Sequence, residues 1–378
     1  MTNHENEPVL NTEEMLPAAA GESAEPQKKM KRRWWRVLLI LLLVLLSCLA
    51  AVVIAWYTVP SAVIDANVQS VSEFEESEVA VTPELPPVRN VMNIALFGID
   101  QESGSAGRSD AIMILSIDKD HNKIKLTSLA RDSLVAIDGH GEEKLTHAWA
   151  YGHAKLALKT INQNYGMNIT EYAYLNFNEF VNAIDYLGGV EVDLSSAELE
   201  QLNSLVTNNL CKQQYGSVPS PVPGVGRQQL NGVRALEYAR NRSDGGSNRT
   251  ARQREVLMAV YDQVKAQPLS KLPGTVTQML RLCHTSLSGS ELTNLATWAL
   301  TTPITVETLS LPNAQVPTWT GVLDRGRGWV QVYDMEAAAQ VLHNFIYETD
   351  VPVTDVTVTP PTATESGDTT EVTEATQP

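Results

Sequence analysis

Residues 37–56 form the longest hydrophobic run of the chain, and only Ser47 and Cys48 interrupt its strongly apolar side chains. The run has twenty residues, about the length that a helix needs to cross a hydrocarbon core of ~30 Å. Lysines and arginines cluster just before it, and acidic residues follow it. By the positive-inside rule, this pattern predicts one signal-anchor helix at 34–58, with the N-terminus in the cytoplasm and the rest of the chain exported.

Three segments contain too few apolar residues to form a core. Residues 1–33 are polar and rich in Glu, Ala and Pro, which predicts a disordered cytoplasmic tail. Residues 351–378 consist largely of Thr, Pro, Val and acidic residues, which predicts a second disordered tail. Residues 59–89 hold several acids and prolines and predict a membrane-proximal linker. One extracellular domain over residues 90–350 remains.

Within residues 90–350, short apolar runs alternate with segments whose apolar residues recur at helical spacing. The runs predict strands at 93–98, 111–117, 123–128 and 190–194, and the turn "DKDHNK" joins the second and third as a hairpin. The helical spacing predicts helices at 147–163, 178–187, 236–242, 250–265 and 335–347. This alternation indicates an α/β fold, an α-β-α sandwich with a mixed central sheet.

Positive charge is concentrated in one segment of an acidic chain. The net charge is −16, yet "YARNRSDGGSNRTARQR" at 238–254 contains five arginines. The planar guanidinium suits phosphate oxygens, so the segment predicts a doubly charged or pyrophosphate ligand. Arg240 and Arg242 are two residues apart and cannot share a face of a regular helix, so a common ligand requires non-helical backbone there. Arg249 and Arg252 can share a face near a helix N-terminus, which favours anions.

Further acids and arginines lie at the ends of predicted strands. Asp100 follows the first strand, and Asp110 begins the second. Two carboxylates at such positions predict a shared Mg²⁺ site, because this ion prefers oxygen ligands. Arg108 stands close to Asp110 in "GRSD", and Arg131 follows the third strand in "SLARD".

Seven motifs occur in the order and spacing of one protein family. They are "NIALFGID", "GRSDAIMILSID", "SLARDS", "KLTHAWAYG", "LGGVEVD", "LNGVRALEYARNRS" and "NRTARQREVL". Over residues 93–260 the chain resembles the LytR-CpsA-Psr proteins of Gram-positive bacteria. The resemblance implies a membrane-anchored phosphotransferase outside the cell. Such an enzyme takes a glycopolymer, for example teichoic acid or capsule, from its undecaprenyl pyrophosphate carrier and attaches it to peptidoglycan through a phosphodiester.

The resemblance also implies a role for each matching residue. Asp100 and Asp110 would hold Mg²⁺. Arg131 would take part in catalysis, whereas Arg252 is assigned to the fold. The pyrophosphate would be bound by Arg108, Arg131, Arg240, Arg242, Arg249 and Gln253.

Two positions depart from the family pattern. Members usually carry Pro before the arginine of "SLPRD", and here that residue is Ala130, which costs loop rigidity but no chemistry. Many members carry an acid where this chain has Gly246, and Asp244 is the nearest replacement. The acceptor hydroxyl must lose a proton, and Asp244 or Asp110 is the carboxylate predicted to accept it.

The sequence leaves two functions open. The motifs predict that the chain transfers the glycopolymer. The alternative is that it binds and regulates a lipid-linked cell-wall precursor without turning it over, and the Gly246 departure is the feature that keeps this alternative open. The overall acidity and the predicted export exclude nucleic acid as a partner. An apolar channel between sheet and helices is expected to hold the polyprenyl chain. Cys211 and Cys283 either pair in an oxidising exterior or remain buried thiols.

Overall fold

The structure is a computed structural model, and it describes residues 69–70, 74–79, 91–100, 107–207, 219–242, 248–268, 270–322 and 328–353. These residues all belong to a compact unit that extends from Trp56 to Pro378. The predicted cytoplasmic tail, the signal-anchor helix at 34–58 and most of the C-terminal tail lie outside them. Among the described residues, no helix combines the length and the apolar character that crossing a membrane requires.

The described residues form thirteen strands and nine helices. The strands are β1 Gln69–Ser70, β2 Val91–Asp100, β3 Arg108–Asp118, β4 Lys123–Leu129, β5 Leu134–Ile137, β6 Gly141–Lys144, β7 Glu171–Asn176, β8 Val190–Leu194, β9 Gly226–Leu230, β10 His284–Thr285, β11 Thr305–Leu311, β12 Thr318–Val322 and β13 Trp329–Tyr333. The helices are α1 Glu76–Val79, α2 Leu145–Tyr165, α3 Phe177–Tyr186, α4 Ser196–Val206, α5 Gly232–Arg240, α6 Arg249–Lys265, α7 Leu272–Leu282, α8 Gly289–Thr301 and α9 Met335–Tyr347. The predicted strands are confirmed as β2, β3, β4 and β8, and the predicted helices as α2, α3, α5, α6 and α9.

The central sheet of the described chain has seven strands in the order β1-β10-β7-β2-β3-β4-β11. Strands β2, β3 and β4 run antiparallel to their neighbours in this group, which confirms the predicted hairpin between β3 and β4. Strand β7 is parallel to β2, and β11 is parallel to β4. The sheet is therefore mixed, as predicted.

The two faces of this sheet pack against different helices. Ala95 and Phe97 of β2 belong to a closely packed core that includes residues of α2 and α9. The alternate residue Ile94 points to the other face, where it packs with Ile117 and with apolar side chains of α8 such as Trp298. Because successive side chains of a strand point to opposite faces, both faces are covered. This arrangement is the predicted α-β-α sandwich.

Helix α5 starts and ends earlier than the sequence pattern predicts. The Asn231 side chain accepts a hydrogen bond from the Arg234 backbone N–H and so caps its first turn. At its start, Gly232 lies so close to α3 that a Cβ there would be 2.2 Å from the Val181 carbonyl oxygen. The helix stops after Arg240, because Asn241 adopts φ −57° and ψ 138°. The predicted span of 236–242 placed Arg242 within the helix. Arg242 instead lies beyond the end of the helix.

Part of the segment predicted as a linker is folded. Strand β1 pairs in parallel with β10 at the edge of the sheet. Val79 of α1 is fully buried in the core against α2, and its carbonyl accepts a hydrogen bond from Asn162 Nδ2 at 2.9 Å. The folded unit thus includes residues N-terminal to position 90.

Candidate active site

Asp110 lies at an irregularity in the pairing of β2 with β3. Gly98 pairs with Ala111 and Ile99 pairs with Ser109, so Asp110 has no partner across the ladder. Such a β-bulge inserts one extra residue and changes the direction of its side chain. The Asp110 carboxylate consequently points toward α6, at the end of the sheet where β4 also ends.

Two arginines bind the two oxygens of this carboxylate. Arg131 Nη1 donates to Asp110 Oδ1, and Arg249 Nη2 donates to Asp110 Oδ2 at 2.8 Å. Gln253, one turn further along α6, approaches the Asp110 backbone carbonyl with Nε2 at 3.4 Å. Burial alone would raise the pKa of Asp110, but the guanidiniums of Arg249 and Arg131 hold that pKa below its ordinary value. Asp110 is therefore a carboxylate anion at neutral pH.

Arg249 is the first residue of α6, and only 9% of its surface is exposed. Its Nε is buried without a hydrogen-bond acceptor among the described residues. Burial lowers the pKa of Arg249, Asp110 raises it, and the nearby charges of Arg131 and Arg242 lower it further. The charges of Arg131, Arg242 and Arg249 therefore lie near one another, and of these Arg131 and Arg249 contact Asp110. The local excess of positive charge and the unused donor suit an anionic ligand.

Arg240 and Arg242 reach the same region from the end of α5. The Arg240 guanidinium lies 5.1 Å from the centre of the Phe177 ring, and its Nη1 is 3.3 Å from Glu237 Oε1. Burial raises the pKa of Glu237, and Arg240 opposes that rise. Arg242 is exposed, and its backbone N–H donates to Gln201 Oε1 at 2.7 Å. The non-helical backbone between the two arginines is the geometry that a common ligand requires.

Asp100 and Arg108 stand at the rim of the site. They face each other across the β2–β3 ladder, at the end where residues 101–106 lie outside the described chain. Arg108 is exposed, and it lies near enough to His147 for its charge to lower the pKa of that histidine, after the larger effect of burial. In the described part of the chain, no cluster of three or more His, Cys, Asp or Glu residues could hold a metal.

Arg252 points away from this group and stabilises the fold. Its Nη1 is 3.2 Å from Glu198 Oε1, and its Nη2 donates to the Asn241 carbonyl at 2.5 Å. These contacts hold the backbone that follows α5 against α4 and α6. Asp244, the predicted base, lies outside the described residues, as does Cys211. Cys283 is a free thiol, and burial raises its pKa to about 12.

The loop that carries Arg131 is fixed by hydrogen bonds in place of the missing proline. The Ala130 N–H donates to the Leu311 carbonyl at 2.9 Å, a bond that proline could not make. The Arg131 carbonyl accepts from the Thr146 N–H at 3.0 Å, and Thr146 Oγ1 donates to the Ser109 carbonyl at 2.8 Å. The first turn of α2 thus joins the Arg131 loop to the strand that carries Asp110.

A buried chain of hydrogen-bonded hydroxyl groups ends at the backbone of the same loop. Tyr165 and Tyr333 are joined through their hydroxyls at 2.6 Å, and the Tyr333 hydroxyl donates to Ser133 Oγ at 2.8 Å. Ser133 Oγ in turn donates to the Ala130 carbonyl at 2.7 Å. These direct hydrogen bonds connect the loop to the Tyr165 side chain of α2 and the Tyr333 side chain of β13. Sequence reasoning assigned no role to these hydroxyls.

Asp132 is a second residue that the sequence reasoning did not assign, although it follows Arg131 directly in "SLARD". Its Oδ2 is 3.2 Å from Arg131 Nε, and its Oδ1 is 3.3 Å from Lys144 Nζ. The Arg131 guanidinium is therefore held between two carboxylates. The contact between Arg131 Nε and Asp132 orients Arg131 Nη1 toward Asp110.

An apolar cavity opens beside the arginines. It encloses about 1160 Å³, including its mouth, and lies between the sheet and helices α3, α5 and α6. Its walls include Leu96, Met113, Phe180, Leu236 and Val256. The polar side chains at one end are Asp110, Arg240, Arg249 and Gln253. The expected apolar channel between sheet and helices is thus present, with charged groups at its mouth.

A site of this kind on this fold agrees with a comparison of family models. The model described as the LytR_cpsA_psr family matches residues 57–344. The chain belongs to the LytR-CpsA-Psr family. The resemblance inferred from the seven motifs is therefore confirmed, and the match extends well beyond the segment in which those motifs lie.

Several members of this family are similar to the chain in sequence. It is 32% identical over 204 residues to the polyisoprenyl-teichoic acid–peptidoglycan teichoic acid transferase TagT of Bacillus subtilis, which covers 52% of this chain and 60% of that protein. It is 30% identical over 209 residues to the regulatory protein MsrR of Staphylococcus aureus, which covers 54% of this chain and 59% of that protein. The chain thus spans about three-fifths of the length of these curated relatives.

Solved structures share the fold. A structure of TagT bound to LIIa-WTA superposes with a TM-score of 0.55 at 26% identity, over 74% of this chain and 99% of that one. A structure of the LytR-CPS2A-psr family protein YwtF (TagT) with bound octaprenyl pyrophosphate lipid gives a TM-score of 0.52 at 25% identity, again over 74% and 99%. The mixed sheet and its covering helices are therefore the fold of this family.

Proposed function

We propose that this chain is a phosphotransferase that moves a cell-wall glycopolymer from a polyprenyl pyrophosphate carrier to peptidoglycan through a phosphodiester. The observation that carries the proposal is the group of Arg131, Arg240 and Arg249 at the mouth of an apolar cavity. The TagT and TagU relatives are named as polyisoprenyl-teichoic acid–peptidoglycan teichoic acid transferases. We infer undecaprenyl as the carrier lipid, and teichoic acid or capsule as the class of polymer.

The charge balance of the site supports a pyrophosphate ligand. Asp110 and Asp132 supply two negative charges, whereas Arg131, Arg249, the nearby Arg242 and Lys144 supply four positive charges. A buried arginine without full compensation is unfavourable. A pyrophosphate would supply the missing negative charge, and its oxygens would accept hydrogen bonds from donors such as Arg249 Nε. Asp110 accepts hydrogen bonds from guanidinium donors that the pyrophosphate oxygens would also use.

The cavity supports a long hydrocarbon attached to that pyrophosphate. Protein interiors are normally packed without large voids. An open cavity with an apolar lining therefore suits a ligand that covers its apolar surface. Each methylene group transferred from water to such a site contributes about 0.8 kcal/mol. Polyprenyl chains provide many such groups.

The proposed reaction exchanges one P–O bond for another. The phosphorus that bears the glycopolymer loses its bond to the bridging oxygen of the pyrophosphate and forms a bond to the acceptor hydroxyl oxygen of peptidoglycan. Polyprenyl phosphate departs with the electron pair, and the hydroxyl proton passes to a carboxylate. Arg131, Arg240 and Arg249 would stabilise the charge that develops on the phosphate oxygens.

The geometry bears on which carboxylate is the base. Arg131 and Arg249 bind both oxygens of Asp110 and lower its pKa, so Asp110 is a weak proton acceptor. Asp244 therefore remains our proposed base. It belongs to the segment between α5 and α6 that joins Arg242 to Arg249.

Mg²⁺ is part of the proposal. The carboxylates of Asp100 and Asp110 offer the oxygen donors that this ion prefers, so the residues fit the metal. Arginines contact both oxygens of Asp110, and each carboxylate oxygen keeps a further lone pair that a metal could use. When bound, Mg²⁺ would neutralise charge on the pyrophosphate.

The location of the site outside the cell is likewise proposed. The signal-anchor helix predicted at 34–58 would hold the chain in the membrane by a single pass. The N-terminus would then lie in the cytoplasm and the folded domain outside, where peptidoglycan and the lipid-linked donor are both accessible. No role for nucleic acid follows from this placement.

The experiment is a transfer assay with the full-length chain, Mg²⁺, a lipid pyrophosphate-linked glycan and peptidoglycan oligomers, followed by mass spectrometry. We expect a phosphodiester-linked product from the wild type. Replacing Arg240 and Arg242 together by alanine should reduce its formation by at least about 100-fold, because one lost transition-state contact commonly costs about 2.7–4 kcal/mol. The matched control is Arg227→Ala on β9, whose side chain is 80% exposed.

A second function is favoured by one relative, which is named regulatory protein MsrR. On that alternative, the same arginines hold a lipid-linked precursor without turning it over. Arginine-dependent binding of an intact donor that yields no product would support regulation and contradict transfer. Equal product from the wild type and the Arg240/Arg242 variant would contradict the proposed site itself.

A further inference from the structure

Two large aromatic side chains are exposed beside the candidate active site. Trp329 of β13 and Tyr151 of α2 are each 45% exposed. Among the described residues, Tyr186 at the end of α3 is the other Phe, Trp or Tyr residue that is exposed. Aromatic rings that remain open to solvent next to a functional site are typical of binding surfaces. The catalytic proposal above uses neither Trp329 nor Tyr151.

Strand β13 places Trp329 next to the Arg131 loop. The Gln331 N–H donates to the Asp132 carbonyl at 2.9 Å, and Gln331 forms a parallel bridge with Ser133. In a parallel bridge the two chains run in the same direction. Two residues back from each partner of the bridge, Trp329 therefore lies near Arg131.

Lys144 connects the surroundings of Trp329 to those of Tyr151. A Cβ on Gly328, the neighbour of Trp329, would lie 4.0 Å from Lys144 Nζ. On the other side, burial lowers the pKa of His147, and the nearby charge of Lys144 contributes to the same shift. The His147 ring in turn lies edge-on to the Tyr151 ring, with 6.0 Å between the centroids. Trp329 and Tyr151 thus border one continuous surface.

His140 enlarges the flat part of this surface. It is exposed in the turn between β5 and β6. Its ring stacks on that of Tyr151, with 4.0 Å between the centroids and 8° between the planes. The stack holds the Tyr151 ring in one orientation before any ligand binds, which reduces the entropy that binding costs. We call Trp329, Tyr151 and His140 the aromatic surface.

The aromatic surface lies on the other side of the sheet from the apolar cavity. Helix α2 and strands β5 and β13 belong to the core on the face of α2 and α9, which includes Val135 and Tyr333. The cavity lies between the opposite face and helices α3, α5 and α6. The Arg131 loop stands between the two sides, because Arg131 contacts Asp110 on the strand facing α6, whereas Asp132 Oδ1 is 3.3 Å from Lys144 Nζ just before α2.

This placement corresponds to the two sides of an in-line displacement. In phosphoryl transfer, the attacking and leaving oxygens lie roughly in line at phosphorus. The leaving polyprenyl phosphate is attached to the hydrocarbon in the apolar cavity. The acceptor hydroxyl therefore approaches the arginine group from the side away from that cavity, which is the side of Trp329 and Tyr151.

The chemistry of the aromatic surface suits a sugar chain. A pyranose ring carries C–H groups on its faces and hydroxyl groups around its edge, so its face stacks on the electron-rich face of an aromatic ring. Glu143 and Lys144 lie beside the rings and offer an acceptor and donors for hydroxyl and amide groups. The glycan strands of peptidoglycan present such rings and polar groups in repetition.

We propose that Trp329 and Tyr151, with His140 stacked on Tyr151, bind the glycan strand of the peptidoglycan acceptor and so hold an acceptor hydroxyl on the side of the arginine group that faces away from the apolar cavity. The inference rests on the proposed function, because it assumes that peptidoglycan is the acceptor. The three residues bind the acceptor and take no part in the exchange of P–O bonds. Their loss should therefore affect the acceptor and not the donor.

The first test measures transfer kinetics with the full-length chain and peptidoglycan oligomers of varied concentration. Trp329→Ala should raise the KM for the oligomers by at least about tenfold, because a stacking partner is lost, while the KM for the lipid-linked donor stays the same. Trp329→Phe keeps an aromatic ring and should restore most of the acceptor affinity. The matched control is Tyr186→Ala, which removes an aromatic side chain that is 50% exposed on α3 and should leave both KM values unchanged.

The second test measures acceptor binding without any donor. In titration calorimetry, glycan chains freed of their peptide stems should bind the wild-type chain, and Tyr151→Ala and Trp329→Ala should each weaken that binding. Free stem peptides should not bind in a Trp329-dependent manner. Because the two residues stand on separate elements, Tyr151→Ala still tests the surface if Trp329→Ala fails to fold.

The outcomes separate this inference from the function on which it rests. If the wild type gives no transfer product, the proposed function fails, and the calorimetry alone decides whether the aromatic surface binds glycan. If the wild type forms product but Trp329→Ala and Tyr151→Ala keep its KM for the oligomers, the aromatic surface is not the acceptor site. Stem peptides that bind through Trp329, with no binding of the glycan chains, would also overturn the inference.

Discussion

Replacing Asp110 by asparagine tests whether this carboxylate is the counter-ion of the arginine group. The Asp110 side chain is 11% exposed and accepts hydrogen bonds from Arg131 and Arg249. Hydrogen bonds to charged groups contribute about 1.5–3 kcal/mol each, and asparagine retains one oxygen acceptor. We therefore expect Asp110→Asn to lower the free energy of unfolding by about 2 kcal/mol, which corresponds to a fall in Tm of about 4–8 °C.

The same substitution should strengthen the binding of inorganic pyrophosphate. Asp110 occupies guanidinium donors that a phosphate would use, so its loss frees them. In the absence of divalent metal, we expect pyrophosphate to bind Asp110→Asn about tenfold more tightly than the wild type, a difference of 1.4 kcal/mol. The assay is thermal denaturation over a range of pyrophosphate concentrations, because a ligand that binds the folded state raises Tm by mass action.

The pH dependence has a defined sign. The pKa of Asp110 in the folded protein is lowered, so its contribution to stability is present above the unfolded pKa of about 3.9 and is lost as the pH falls through the folded value. The stability difference between wild type and Asp110→Asn should therefore shrink below about pH 4. Asp193→Asn, at an exposed position of β8, should change neither stability nor binding. A variant with unchanged Tm and weaker pyrophosphate binding would refute the counter-ion role.

Three further substitutions test other parts of the account. Tyr333→Phe removes the hydroxyl that links Tyr165 to Ser133 and should cost about 1–3 kcal/mol of stability, measured by urea denaturation, with a lower kcat for transfer. Gly98→Leu places a side chain in the first cavity, where a Cβ would already lie 3.1 Å from Ala111 Cβ. It should weaken farnesyl pyrophosphate binding in calorimetry without weakening that of inorganic pyrophosphate. Arg252→Met breaks the contacts of a side chain that is 4% exposed and should lower stability by about 3 kcal/mol; a loss of pyrophosphate affinity at unchanged Tm would place Arg252 in the ligand site instead.

The central strands of the fold were predictable because their apolar content is continuous. "NIALFG" and "AIMILSI" are buried by layers on both sides, so β2 and β3 carry apolar residues at nearly every position. Strand β7 was not predicted, because "EYAYLN" mixes tyrosines with polar residues, and it belongs in the sheet through its parallel pairing with β2. The helices α7 and α8 were also missed. The apolar residues of α7 do recur at helical spacing, and this signal was overlooked.

The residue types of the site were predictable, but their geometry was not. Arginine-rich and acidic motifs at the ends of elements indicated an anion site, and the structure brings Arg131, Arg249 and Gln253 onto Asp110. The bulge that turns Asp110 toward them arises from strand pairing, which no local pattern encodes. The hydroxyls of Tyr165 and Tyr333 support the Arg131 loop across large sequence separations, so only the folded arrangement shows that role.

The central claim is that the arginine group holds a lipid-linked pyrophosphate for transfer to an acceptor, and phosphorus NMR of a donor reaction tests it most directly. With the full-length chain, Mg²⁺ and peptidoglycan oligomers, the account predicts that the two pyrophosphate signals give way to one phosphomonoester and one phosphodiester in equal amounts. Arg249→Gln should abolish this change. Persistence of the pyrophosphate signals in the presence of bound wild-type protein would contradict transfer, and two phosphomonoesters without a phosphodiester would show hydrolysis instead.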